Sequence, residues 1–259
     1  MKFIKKFKEI SIKDVTKVGG KNASLGEMYN ELSSEGVLVP DGFATTSEGF
    51  WAFLKSNNIE EDIKSLLKKL DKKNYANLSS IGSEARELIL AGEFSEEFSE
   101  EIVATYHDLG KGENIQVAVR SSATAEDLPG ASFAGQHDTF LNIKGNEALL
   151  EAVKKCFASL YTNRAIKYRE DQGFLHHEIA LSVGVQKMVR SDISCSGIGF
   201  SLEPESGFRN IIHLSGVWGL GENIVQGLVN PDEFDVFKPT IDKAENPIIQ
   251  KKLGHKELS

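Results

Sequence analysis

Arg120 closes a short apolar run, Val117-Ala118-Val119, and is followed by Ser121, Ser122 and Thr124. Beyond them the chain reads AEDLPGASFAGQHDTF, residues 125–140. That stretch is rich in Ala, Ser and Gly and holds one acidic pair, Glu126-Asp127. A guanidinium presents several N–H donors in a fixed fork that suits phosphate oxygens. Charge-assisted hydrogen bonds of this kind contribute roughly 1.5–3 kcal/mol. Small residues let backbone N–H groups approach an anion closely. Arg120 with the turn around Phe133-Ala134-Gly135-Gln136 therefore fits a triphosphate site. The competing reading is that Arg120 pairs with Glu126 or Asp127 and only orders the loop.

Three further stretches have chemical content. Gly19-Gly20-Lys21 opens a helix, and a helix N-terminus with a lysine favours an anion. The spacing is not that of a P-loop, and a solvated surface lysine is the plainer alternative. Gln186-Lys187-Met188-Val189 ends an apolar strand. Such a connector can offer backbone groups to an adenine edge, with Met188 and Val189 as an apolar slot; core strand and turn is the rival. Trp218-Gly219-Leu220-Gly221-Glu222 leads into a helix start without the Rossmann glycine spacing. Glu222 reads as a carboxylate stabilised by the helix dipole, or as a metal- or phosphate-side residue. None of the six histidines (107, 137, 176, 177, 213, 255) has the neighbours of a nucleophile, and none forms a metal set. His137 lies in the candidate phosphate loop.

The elements that must position these groups follow from periodicity. Leu25, Met28, Tyr29 and Leu32 recur at helical spacing after the turn Val18–Asn22. Val37–Phe43 reads as a strand broken by Pro40-Asp41-Gly42. Residues 59–110 read as helical throughout, in three stripes, with Ser95 capping the third. Strands are expected at 116–120, 138–143, 179–189, 197–202, 210–215 and 233–238. One long helix is expected over about 146–170. Ile179, Leu181, Val183 and Val185 alternate, which predicts one buried strand face. The fold class is α/β (α+β) with a helical insertion about 59–110.

With 259 residues, 40% of them hydrophobic and 26% charged, the chain can bury a sizeable core and more than one lobe. Its net charge of −8 argues against a nucleic-acid binder. No apolar run approaches the ~18 residues of a membrane span. MKFIKKFKEI lacks the apolar core of a signal peptide. Cys156 and Cys195 show neither metal spacing nor a disulfide framework, so reduced thiols in the cytoplasm are expected.

Four segments carry a resemblance: VGGKNASLGEM, VRSSATAEDLPGASFAGQHDTFLN, VGVQKMVRSDISCSGIGFS and WGLGENIVQGLVNPDEF, in this order. Together they resemble the ATP-binding domain of the pyruvate, phosphate dikinase family, from about Val18 to Pro239. The resemblance implies an ATP-grasp-like domain with nucleotide held between two lobes. Residues 1–190 would form its first part and 191–259 the start of a second, incomplete at the C-terminus. It implies that Lys21 and Arg120 contact ATP phosphates and that Gly135 and Thr139 sit near the triphosphate. It also implies that Gln186, Lys187, Met188 and Val189 form the connector at the adenine. ATP and Mg²⁺ are the implied cofactors. In this family ATP phosphorylates a histidine on a separate domain, releasing phosphate and AMP, and the phosphohistidine then phosphorylates pyruvate.

The family's Thr-Cys-His motif is absent, so no catalytic residue is assigned among these 259. The metal ligands are expected beyond Ser259, and the phosphohistidine and pyruvate-binding domains are expected partners. Gly130 stands where the family usually has Asp, and His137 where it often has a second Gln. The RSSATAEDLP and NPDEF wording favours the branch that phosphorylates pyruvate with water as second acceptor. The rivals are the rifamycin phosphotransferase branch and a freestanding nucleotide-binding module without catalysis. The oligomeric state is left open.

Overall fold

The computed structural model describes residues 2–124, 139–243 and 246–255. The chain divides between Met188 and Val189 into two compact units, and each has its own sheet of antiparallel pairs. The first unit opens with β1 (Ile4–Lys6), α1 (Val15–Leu32) and β2 (Gly42–Thr45). Four helices follow: α2 (Ser47–Ser56), α3 (Glu60–Lys68), α4 (Leu78–Ala91) and α5 (Glu96–Leu109). Then come β3 (Val117–Ala123), β4 (Thr139–Ile143), α6 (Asn146–Ser159), α7 (Asn163–Asp171) and β5 (Leu181–Lys187). The strand order is β1-β2-β5-β3-β4. The second unit is a meander of β6 (Cys195–Phe200), β7 (Ile211–Trp218), β8 (Asp232–Phe237) and β9 (Ile248–Lys252). The short α8 (Glu222–Val225) precedes β8. Among the described residues no helix is long and apolar enough to cross a membrane.

The register gives the first sheet two unlike faces. Phe43, Val185, Val119 and Phe140 stand in one row. Successive residues of a strand point to opposite sides, so the next row, Ala44, Gly184, Arg120 and Thr139, lies on the other face. The apolar face carries the main core, with α2, α5 and α6 packed over it and α4 packed on α6. Its centre is a set of phenylalanines. The Phe157 ring lies 5.1 Å from Phe50, 5.5 Å from Phe53 and 6.0 Å from Phe94. Tyr106 ties the layer together: its hydroxyl donates to the Ile115 carbonyl at 2.7 Å and accepts from the Gly145 N–H at 3.1 Å. The small-residue face is covered by α1, through a separate cluster of Phe7, Ile10, Val18, Ala23 and Ala44.

Several expectations need correction. The long helix over 146–170 is two helices, because Thr162 caps a new one by accepting from the Ala165 N–H at 3.3 Å. Residues 59–110 are helical only in α3, α4 and α5; 69–77 and 92–95 are not. Ser95 does cap α5, accepting from the Phe98 N–H at 3.4 Å. Val37–Asp41 is not strand. β1 pairs with β2 only from Phe43 to Thr45, so the apolar run before Pro40 has no ladder on that side, and Leu38 is 94% exposed. β5 is buried on both faces, since it is central and α1 covers its second side. The strand β9 had no expectation.

One buried network bears on stability. Arg169 is fully buried, and its Nε donates to His176 Nδ1 at 2.8 Å. His176 therefore carries its proton on Nε2, which lies 2.7 Å from Glu170 Oε1. Burial, reinforced by the neighbouring guanidinium, pushes the His176 pKa down to about 4.

Phe157→Ala should destabilise the protein by about 3–5 kcal/mol, because it empties a site shared by three other rings; urea unfolding measures this. His176 makes the second expectation. An unfolded histidine takes up its proton near 6.5, but this folded one only near 4. The stability it contributes is present above the unfolded value and falls as pH drops through that window. The slope should be at most about 1.4 kcal/mol per pH unit. Urea midpoints between neutral and acid pH should show it, and His176→Gln should flatten most of it.

Candidate nucleotide site

The site begins with a kink. Inside α1, Gly19 has φ +74° and ψ 163°, so the helix restarts at Gly20. A turn of helix, Val15–Val18, precedes the break, so the expected five-residue turn is reduced to one glycine. Two constraints require glycine here. Its φ is left-handed, and a Cβ would lie 2.2 Å from Ser122 Oγ and 2.6 Å from the Ser122 carbonyl. The restarted helix therefore begins directly against β3. The Asn22 N–H reaches Ser122 Oγ at 3.5 Å, and Asn22 Nδ2 donates to Ser182 Oγ at 2.9 Å and to the Val18 carbonyl at 3.1 Å. On β5, a Cβ at Gly184 would stand 2.2 Å from Asn22 Oδ1.

This packing brings two of the expected phosphate residues to one face. Lys21, exposed, sits in the first turn after the kink. Arg120 lies two residues from Ser122 on the same face of β3, opposite Gly184 and Thr139. Part of the Arg120 side chain reaches solvent, yet its guanidinium is crowded enough that desolvation lowers its pKa. Among the described residues it has no ion-pair partner. A cation on the strand face against which a helix restarts suits an anion. Gly135, with Glu126, Asp127, Gly130 and His137, lies outside the described residues.

The connector is held by its own backbone. Gln186 is 8% exposed, and its Nε2 donates to the Pro40 carbonyl at 3.1 Å. The Lys187 N–H donates to Asp41 O and the Met188 N–H to Gln116 O, each at 3.0 Å. These two donors hold the strand end in place, so a base edge would meet other groups of the connector. Lys187 and Val189 are exposed and Met188 is half-buried. Asp41, expected only as part of the turn, also raises the pKa of Tyr29 on α1, after burial. The sequence alone assigns Asn22 no role; only the register of β5 against α1 shows that it fastens the kinked helix to the sheet.

In the second unit Glu222 is the first residue of α8 and accepts from Gln226 Nε2 at 2.7 Å. His213 faces Asp235 across β7 and β8. Its Nδ1 is 2.8 Å from Asp235 Oδ1, and Ser215 Oγ is 3.3 Å from its Nε2. Pairing register brings these three together, and the sequence does not display it. Among the described residues no group of three or more His, Cys, Asp or Glu could hold a metal.

Residues 15–259 match the family described as "Pyruvate phosphate dikinase, AMP/ATP-binding domain", and the chain belongs to that family. Among its relatives are proteins named phosphoenolpyruvate synthase. The Helicobacter pylori protein is 50% identical over 259 residues, which is 99% of this chain and 32% of that protein. The Neisseria meningitidis protein is 51% identical over 255 residues, 97% and 32% respectively. The Escherichia coli protein is 48% identical over 253 residues, again 97% and 32%. The chain spans about a third of the length of these relatives.

Gly184→Ala should force Asn22 off the sheet and cost about 1–3 kcal/mol by overpacking. Chemical unfolding checks it, and Asn22→Ala in the same background should recover part of the loss.

Proposed function

We propose that this chain is the ATP-holding part of a phosphoenolpyruvate synthase, a pyruvate, water dikinase. The reaction converts ATP, pyruvate and water to phosphoenolpyruvate, AMP and phosphate by way of a phosphohistidine. The names of relatives near half identity support this reading over a rifamycin phosphotransferase. The observation that carries the ATP site is the desolvated Arg120, set on the strand face where the Gly19 kink starts a helix bearing Lys21.

In this reading Arg120 and Lys21 neutralise the polyphosphate, and the N–H groups that open the restarted helix add their dipole. Thr139, in register with Arg120, offers a hydroxyl to the same anion, and Gly135 would let backbone approach it. Gln186, Lys187, Met188 and Val189 form the wall for the base, with Met188 and Val189 as its apolar part. The donor set of this face is cationic, so it fits the nucleotide's phosphates and not a bare metal ion. Mg²⁺ would arrive chelated by ATP and share its charge. The protein's contribution is positioning and charge neutralisation.

We infer an ATP-grasp-like domain; two antiparallel sheets in separate units are consistent with it. The accepting histidine and the pyruvate site would belong to other domains of a longer chain, as the length of the relatives supports. The free thiols of Cys156 and Cys195 suit a reducing cytoplasm.

Calorimetric titration of the complete gene product with Mg·ATP tests the site. Arg120→Ala should weaken binding by roughly 1.5–3 kcal/mol, the worth of charge-assisted hydrogen bonds. Arg120→Lys should restore only part, since it keeps the charge and loses the fork. Unchanged affinity in a folded Arg120→Ala protein would remove Arg120 from the site.

A further inference from the structure

A cleft of about 640 Å³ opens between α2, α3 and the segment that follows α7. That volume is within the range of small-molecule sites, ~300–1,000 Å³. None of its lining residues belongs to α1, to β3 or to the connector. Its floor is apolar and aromatic, from Trp51, Leu54, Leu67 and Phe174. Three lysines, Lys64, Lys68 and Lys72, stand around it against two glutamates, Glu60 and Glu170. Both acids already have partners: Glu60 holds Lys64 at 2.7 Å, as Glu61 does at 2.8 Å, and Glu170 holds Lys72 at 2.8 Å and His176 at 2.7 Å. Among the described residues Lys68 has no ion-pair partner.

Two further features point to a ligand. Tyr161 lines the cleft and is 3% exposed, yet its hydroxyl bonds to no described residue. Burial raises its pKa to about 12, so it stays protonated and can donate. Behind it, the Arg169 guanidinium carbon lies 5.6 Å from the Tyr161 ring centroid. Both terminal nitrogens of Arg169 are buried without a hydrogen-bond partner among the described residues. Arg169 does not itself line the cleft. Its charge acts through the walls that it touches, Tyr161 and His176, where low polarisability weakens screening. Lys64 and Lys72 are balanced by carboxylates, so the uncompensated charge at this cleft is that of Lys68, with buried Arg169 behind the wall.

We propose that this cleft binds a small amphipathic anion, an aromatic or branched apolar body carrying one carboxylate or phosphate. The body would fill the floor beside Trp51. The anionic group would meet Lys68, with Lys64 released to it from its carboxylate partners and the Tyr161 hydroxyl donating to it.

The chain's two tryptophans, Trp51 and Trp218, make the test direct. Their indole N–H signals can be followed in a ¹⁵N–¹H correlation spectrum of the full chain, and Trp218→Phe assigns them. The probes are phenyl phosphate, 3-phenylpropionate and, as a cationic control, benzylamine. The Trp51 signal should shift saturably with the first two and not with benzylamine, while Trp218 stays in place. A response to only one of the anions would assign the head group. Lys64→Glu/Lys68→Glu should weaken binding about tenfold, the scale of reversed charges at a rim. Both lysines are on the surface of α3, and an unchanged urea midpoint of the first unit reports that its fold survives. No saturable shift at the probes' solubility limit would overturn the site. Equal affinity for benzylamine, or undiminished affinity in the charge-reversed variant, would overturn the anion.

Discussion

The close approach of α1 to the sheet is the constraint on which the first unit depends. Helices usually pack on sheets through large side chains. Here Ala44, Gly184 and Ser122 leave so little volume that the helix backbone at Gly19 lies against the backbone of β3. That distance makes glycine obligatory at 19 and at 184. It also places Asn22 between two strands as a fastener, with one hydrogen bond to Ser182 and a contact with Ser122. A bulkier face would hold the helix more firmly by apolar burial, but it would lift the first turn and Lys21 away from Arg120.

The division of the sheet into two faces follows from this. Stability is concentrated on the apolar side, where Phe50, Phe53, Phe94 and Phe157 interlock and α2, α5 and α6 cover the strands. The other side is then free to carry small and charged residues at little cost to the core. The strand end at Gln186–Met188 is fixed by three hydrogen bonds, to Pro40, Asp41 and Gln116. All three acceptors are carbonyls of the first unit, so the end of β5 is as well positioned as its middle.

Much of this was legible in the sequence. The strands near 117, 139, 181, 211 and 232 announced themselves by apolar runs, and the motif at Gly19 by its glycines. What failed was physical in each case. Thr162 stopped a helix that the stripe of Leu149, Val153, Phe157 and Leu160 would have continued, because a side-chain cap competes with the backbone ladder. Val37-Leu38-Val39 has strand composition, but a strand exists only where a partner lies beside it. The alternation along β5 spoke for one buried face; Ser182 and Gly184 on the other face are buried too, because a helix lies on them. The roles of Asn22, Asp41 and the His213–Asp235 pair depend on register between distant segments, which local pattern does not encode.

Two desolvated arginines show how the unit separates structure from site. Arg169 is sealed in and only partly compensated: His176 accepts from its Nε and the Tyr161 ring lies beside it, but both terminal nitrogens lack a partner among the described residues and its pKa falls to about 10. Arg120 is crowded as well, but it stands on the face that α1 does not fully close, with solvent at part of its side chain. Crowding of this kind costs free energy that a paired anion offsets, which is why the proposed phosphate role falls to Arg120 and not to Arg169. Such a residue persists only where the surrounding fold has stability to spare. The phenylalanine core on the opposite face of the same strand supplies it, at Val119, one residue away.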